Sequence, residues 1–505
     1  MTFGKPASMT TRRGFLTLST SVAALLAGCA AESKTSQSAG AASSASTNSA
    51  SDSSQSASPS TREQISDATN AGHAIAVSAE TKSYKAVDVT KTGDADGDEA
   101  DFYGTNAAVY AENGATLDLD DITVNCNGAH ANAVFAYGEG TTVNIANSKI
   151  DTTSNCSGGI MVTGGGTLNA SNLTIHTTGN SSASIRSDRG GGTQVVDGGS
   201  YTTDGTGSPV IYSTADVTVK NATLTSTASQ GVVVEGKNSV ALNNCELVAS
   251  NTAKNSNKSE WYQAVMIYQS MSGDAAQGEA NFSINGGSLT NKNGDVFFVN
   301  NTVATIGLGG AKITNEDASG VLLRAAAAGW GSEGNNGGHV TLTASGQELN
   351  GNMLVDSVSS LNLYLRDGSA FVGAINPDAA EGEVYVEVPD GASWELTGDA
   401  HITSLTCGTT GVKLNGHTLT VGESAYSEGT ASTGSAIVVE VSSTGNGGPG
   451  GTPPDGEGGG QGGTPPDGGG QGGNGGTPPD GEGGGQGGNG GTPPEKPGSS
   501  SNSSK

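Results

Sequence analysis

Between about residue 105 and residue 315 apolar side chains fall on alternate positions in short runs, and a single Asn, Asp or Gly separates one run from the next. Asp121, Asn147, Asn172, Gly198, Asn221, Asn244, Gly286 and Gly310 form this series, at intervals of 26, 25, 26, 23, 23, 42 and 24 residues. Two positions before each stands an apolar residue, from Leu119 and Ile145 to Leu308, and three positions after stands another, from Val124 and Ile150 to Ile313. Alternation at period two is the mark of a strand with one buried face, and Asn, Asp and Gly are the residue types that accept a positive φ. The pattern predicts short strands meeting at a left-handed corner.

A second set of apolar anchors recurs in register at Val109, Val134, Ile160, Ile185, Val210 and Val232. Helical periodicity is nowhere sustained. An interval of roughly 23 to 26 residues is too long for a hairpin and too short for a domain, so it describes a unit that stacks on its own copies. Coils of that length, spaced by about 4.8 Å and paired through the backbone, make an all-β parallel β-helix. The interval of 42 holds a polar insertion, "NTAKNSNKSEWYQ". The stretch "GVKLNGHTLTV", residues 411–421, is expected to be a last coil before a cap.

On these columns the chain resembles the right-handed parallel β-helix of the pectin-lyase-like superfamily, with its asparagine ladder, and more loosely the repeat-built surface adhesins of bacteria. The resemblance implies a right-handed solenoid. It implies little about activity, because lyases, hydrolases, esterases and inert adhesins share that fold.

The ends of the chain differ from its middle. "TTRRGFLTL" places Arg12 and Arg13 before an apolar run that ends in "LLAGC" at Cys29. This is similar to a twin-arginine export signal joined to a lipoprotein box, which implies cleavage before Cys29, a lipid on its sulfur, and residence on the outer face of a membrane. Residues 29–61 are rich in Ser and Ala and read as a flexible tether, and residues 444–505, with Thr452, Thr464, Thr477 and Thr492 each followed by two prolines, read as a disordered Gly/Pro tail. The expected folded unit is residues 62–443, preceded by a signal at 1–28.

Charge narrows the partners. With 22 Lys+Arg against 49 Asp+Glu the formal net charge is −27, which repels nucleic acid and anionic lipid. Cys126 and Cys156 lie in similar turn-like settings, "NCNG" and "NCSG", and are candidates for a disulfide in an exported protein.

Candidate chemistry is sparse. The chain lacks the "NTD…DD…GHG" set of galacturonases and the RxPxxR of pectate lyases. The outward position beside each second anchor reads Tyr110, Phe135, Met161, Arg186, Ile211 and Val233, a ribbon of apolar surface that is either a binding face or covered by a loop. In "IRSDRGGG", Arg186, Asp188 and Arg189 offer two guanidinium groups to a uronate carboxylate. Trp261, Tyr262, Tyr268 and Trp330 lie in inserted or loop-like segments, where sugar rings stack. Asp94, Asp96 and Asp98 alternate as in a calcium loop, without the glycine at the sixth place. The leading expectation is a lipid-anchored surface β-helix that binds a glycan or a neighbouring surface without chemistry. The alternatives are a polysaccharide lyase, with Arg186, Arg189, Lys254 or Lys258 as base, and a structural envelope spacer.

Overall fold

The computed structural model describes residues 62–254 and 258–439. A regular coil has three straight parts. In one of the first, the strand Val109–Glu112 turns through Asn113 and Gly114, both at positive φ, into Thr116–Asp120, then bends at Asp121 into Thr123–Cys126. Coils stack in parallel register: Val109 pairs with Val134, Val134 with Ile160 and Ile160 with Ile185. Leu117 lies under Val143, and Val124 under Ile150. The result is an all-β parallel β-helix with one sheet of 21 strands, which holds both runs flanking the corner, and a second of 11 strands.

All eight corner residues of the sequence series have φ between 51° and 74°. The corner geometry aims each backbone N–H at the next coil: Asp121 donates to Ala146 O (3.1 Å) and Asn147 to Ser171 O (3.0 Å). Side chains add a ladder, in which Asn172 Nδ2 donates to Asn147 Oδ1 (3.0 Å) and Asn147 Nδ2 to Asp120 Oδ1 (2.9 Å). Ala86, at φ 55°, holds the same corner one coil before Asp121 and donates to Asp120 O. Alanine carries no turn signal, so the residue pattern passes over it.

One expected register is wrong by a residue. Ile211, not Val210, pairs with Ile185 and Val232, which turns Tyr212 outward beside Arg186 and Val233. Val210 and Ile211 are both fully buried, so the run carries no alternation from which the inward residue can be read.

The interior is a continuous, mostly aliphatic apolar stack, with Phe371 and Trp394 toward the C-terminus, their rings 5.7 Å apart. Residues 411–421 contribute the strands Val412–Lys413 and Leu419–Val421, and the second folds back on Ser424–Ala425 as an antiparallel pair. Cys126 is a buried free thiol that burial pushes up to about 12, so the Cys126–Cys156 bond is not formed.

Candidate functional site

The strands of the 11-stranded sheet present alternate side chains to the outside of the coil, and there the molecule departs from a bare solenoid. Tyr110, Phe135 and Met161 point outward as the alternation requires, yet they are 2%, 0% and 0% exposed. A cover explains this. The helix α1 (Gly97–Tyr103) lies over the column, His73 stacks on Tyr110 at 4.5 Å, and Gly104 at φ 70° lets the chain pass so close that a Cβ there would come within 2.8 Å of Phe135. Higher on the same face Tyr212, Val233, Met266, Tyr268 and Phe298 are covered in turn by Trp330, whose ring meets Tyr268 at 5.1 Å. The ribbon is a second core rather than an open binding face, because apolar area of this extent gains by leaving water.

Ionisable groups gather between the two apolar patches. Arg186 is 6% exposed and its Nη2 lies 3.0 Å from Asp188 Oδ2, with Asp188 itself 1% exposed. Arg189 Nε reaches Asp274 at 2.7 Å and its Nη1 reaches Asp98 of α1 at 3.0 Å, while the guanidinium sits 3.8 Å over the Phe102 ring. Glu235 accepts hydrogen bonds from the hydroxyls of Tyr212, Tyr268 (2.9 Å) and Ser270. Gln194, inward-facing and fully buried, donates to Arg186 O at 2.6 Å.

This geometry corrects the expectation that Arg186 and Arg189 offer open donors to a uronate. Arg189 is taken by the carboxylates of Asp274 and Asp98, and Arg186 is buried away from solvent with Asp188 against its Nη2. Neither is poised as a lyase base: burial opposes the charge on Arg189, but the carboxylates of Asp274 and Asp98 outweigh it and raise its pKa. A base needs the opposite shift. Lys254 donates to Glu260 O, and Lys258 lies 5.9 Å from the Trp330 ring.

Burial pushes the Asp188 carboxyl up to about 8 against the pull of Arg186, and Asp274 and Glu235 add to the rise. Burial raises Glu235 as well, against the hydrogen bonds it accepts. A folded pKa above the ordinary value of about 3.9 means that the folded state holds a proton the unfolded state has released. The stability this confers is complete below pH 4 and is lost as pH rises toward 8. The melting temperature is therefore expected to fall between pH 5 and pH 8, and Asp188→Asn to remove most of that slope; an equally steep slope in the variant would show that Asp188 is ionised in the fold.

Further along the same face an open cleft of about 300 Å³ lies between Trp261, Arg324, Asp356, Asp378 and Glu381. Trp261 is half-buried, with its ring 5.6 Å from Phe298 and 4.2 Å from the Arg324 guanidinium. Arg324 Nε lies 2.6 Å from Asp295 Oδ2 and its Nη2 lies 3.3 Å from Oδ1. No family model, no curated protein and no solved structure matches this chain. The site therefore stands on its geometry alone.

The other nominated residues are placed as follows. Trp330 is 3% exposed and belongs to the cover, whereas Tyr262 is half-buried beside Lys254 at 5.5 Å. Asp94 Oδ1 accepts the Ala129 N–H, Asp96 is the residue before α1, and Asp98 pairs with Arg189. Among the described residues the ligand atoms that do converge are those of Asp101, His130 and Cys156, within 4.8 Å and all buried. There His130 Nδ1 is 2.9 Å from Asp101 Oδ1, and Asp101 and Cys156 have further partners. Arg12, Arg13 and Cys29 lie outside the described residues. The pattern of residues missed Glu235, Asp274, Asp295 and Arg324. The lone Arg324 in "VLLRAA" was the available signal, since a strand that buries a cation must also supply its counter-ion.

Proposed function

We propose that this protein is an exported, lipid-anchored surface solenoid, akin to the non-catalytic members of the pectin-lyase-like β-helices, that binds a glycan without chemistry at the Trp261–Arg324 cleft. The observation that carries the reading is Trp261. It lines an open concavity, where a flat aromatic face and several polar groups meet as sugar sites require. Arg12-Arg13 and the Cys29 box support export and anchoring. The burial of Arg186 and the two ion pairs of Arg189 argue against a lyase.

The test is equilibrium binding of the mature protein to a glycan panel, with ultraviolet absorbance followed for unsaturated sugar products. Binding without new absorbance, weakened at least tenfold by Trp261→Ala in a variant that keeps the circular dichroism of the folded protein, is expected. Unsaturated products would restore the lyase reading, and silence across the panel would favour a spacer.

A further inference from the structure

The charges around the cleft select among glycans, and this step rests on the glycan-binding reading above. Arg324 is the cation in the cleft, and Asp295 balances its charge. Asp295 holds it through two contacts, at 2.6 and 3.3 Å, with the two side chains 16% and 2% exposed. Its guanidinium is also stacked 4.2 Å from Trp261. Bidentate capture of a sugar carboxylate needs two donors on one guanidinium edge; Asp295 takes the Nε–Nη2 edge, and an anion approaching the remaining Nη1 donors meets the carboxylates of Asp356, Asp378 and Glu381 that line the same cleft.

The remaining charge is negative. Asp356 is fixed in place: Oδ2 accepts the Ala327 N–H (2.7 Å), and Oδ1 accepts the Ser359 hydroxyl (2.6 Å) and the Val358 N–H (3.2 Å). Asp378 and Glu381 are exposed on the rim and form no ion pair with any described residue. No group of three metal-ligating side chains converges at this cleft among the described residues. A half-buried indole beside uncompensated carboxylates suits a cation on an organic ring, held by cation–π attraction and by charge. The chain's net charge of −27 draws cationic polymers and repels uronates over longer range. We propose that the Trp261 cleft binds an amino-sugar oligomer through its ammonium groups, and that it discriminates against uronic acids.

Tryptophan fluorescence reads the site directly, because Trp330 and Trp394 are 3% and 0% exposed while Trp261 faces the cleft. The mature protein is titrated with glucosamine hexamer, with its N-acetylated form, with galacturonate hexamer and with polylysine. Expected are tightest binding to the glucosamine hexamer, at least tenfold weaker binding on N-acetylation, and weakening with salt. Asp378→Asn/Glu381→Gln should cost about tenfold at unchanged melting temperature, since both side chains are exposed and unpaired. Galacturonate bound as tightly as glucosamine through Trp261 would overturn the amino-sugar assignment and leave glycan binding standing. Polylysine bound more tightly than any glycan would overturn both in favour of a basic peptide, and affinities left unaltered by Trp261→Ala, measured by calorimetry because the variant lacks the reporting indole, would overturn both outright.

Discussion

Replacing Arg189 with alanine is expected to lower the unfolding free energy by about 3 kcal/mol, whereas Asp98→Ala costs under about 1 kcal/mol. Arg189 joins two covers that come from distant parts of the chain. Its Nη1 holds Asp98 of α1 and its Nε holds Asp274 of the segment after Tyr268, while its guanidinium rests on Phe102. The two ion pairs differ in solvent exposure. The Asp98 side chain is 62% exposed, so water screens that contact, but the Asp274 side chain is 0% exposed and is left as a buried charge with no counter-ion among the described residues, held by the Ser272 hydroxyl alone, when the arginine goes. Urea denaturation measures the difference, and Asp274→Asn in the Arg189→Ala background should recover part of the loss. Proteolytic cutting between Gln269 and Gly278 should rise in the single variant. A midpoint for Arg189→Ala no lower than that of Asp98→Ala would show that the covers are held by apolar packing alone.

Asn172→Val is expected to cost about 2 kcal/mol, and Ser171→Val almost nothing. Asn172 sits at φ 52°, where a β-branched side chain crowds the backbone, and its amide donates to Asn147 at 3.0 Å. Strain and the lost hydrogen bond add in the same direction. Ser171 is an exposed strand residue one position earlier, where valine is well suited. Asn172→Gly separates the two contributions, because glycine accepts the corner and loses only the ladder bond, as Gly198 does one coil above. It should fall between the other two variants in melting temperature. Equal melting temperatures for Asn172→Val and Ser171→Val would contradict the corner role of Asn172.

The solenoid could be read from residues because its signals are local and repeated. Each corner is announced by Asn, Asp or Gly, and each straight run alternates, so neighbouring coils report the same register many times. Errors came where the local signal lapsed: Ala86 turns a corner that its side chain does not advertise, and the apolar pair Val210-Ile211 hides which residue faces inward.

The outer face of the 11-stranded sheet is a different matter. Alternation showed that Tyr110, Phe135 and Arg186 leave the coil, and nothing in those residues says what meets them. The partners are α1, some ten residues before Tyr110, and the segment after Tyr268, more than eighty residues beyond Arg186. Pairing of Arg189 with Asp98 and Asp274, or of Arg324 with Asp295, depends on how insertions fold back over the stack, and insertions carry no repeat from which to infer it. The sequence alone therefore determined a stacked, corner-turned β-helix, since backbone sterics and period-two burial act within a few residues. Only the tertiary structure decided which outward side chains are covered and which line a cleft, since that depends on contacts between segments far apart in the chain.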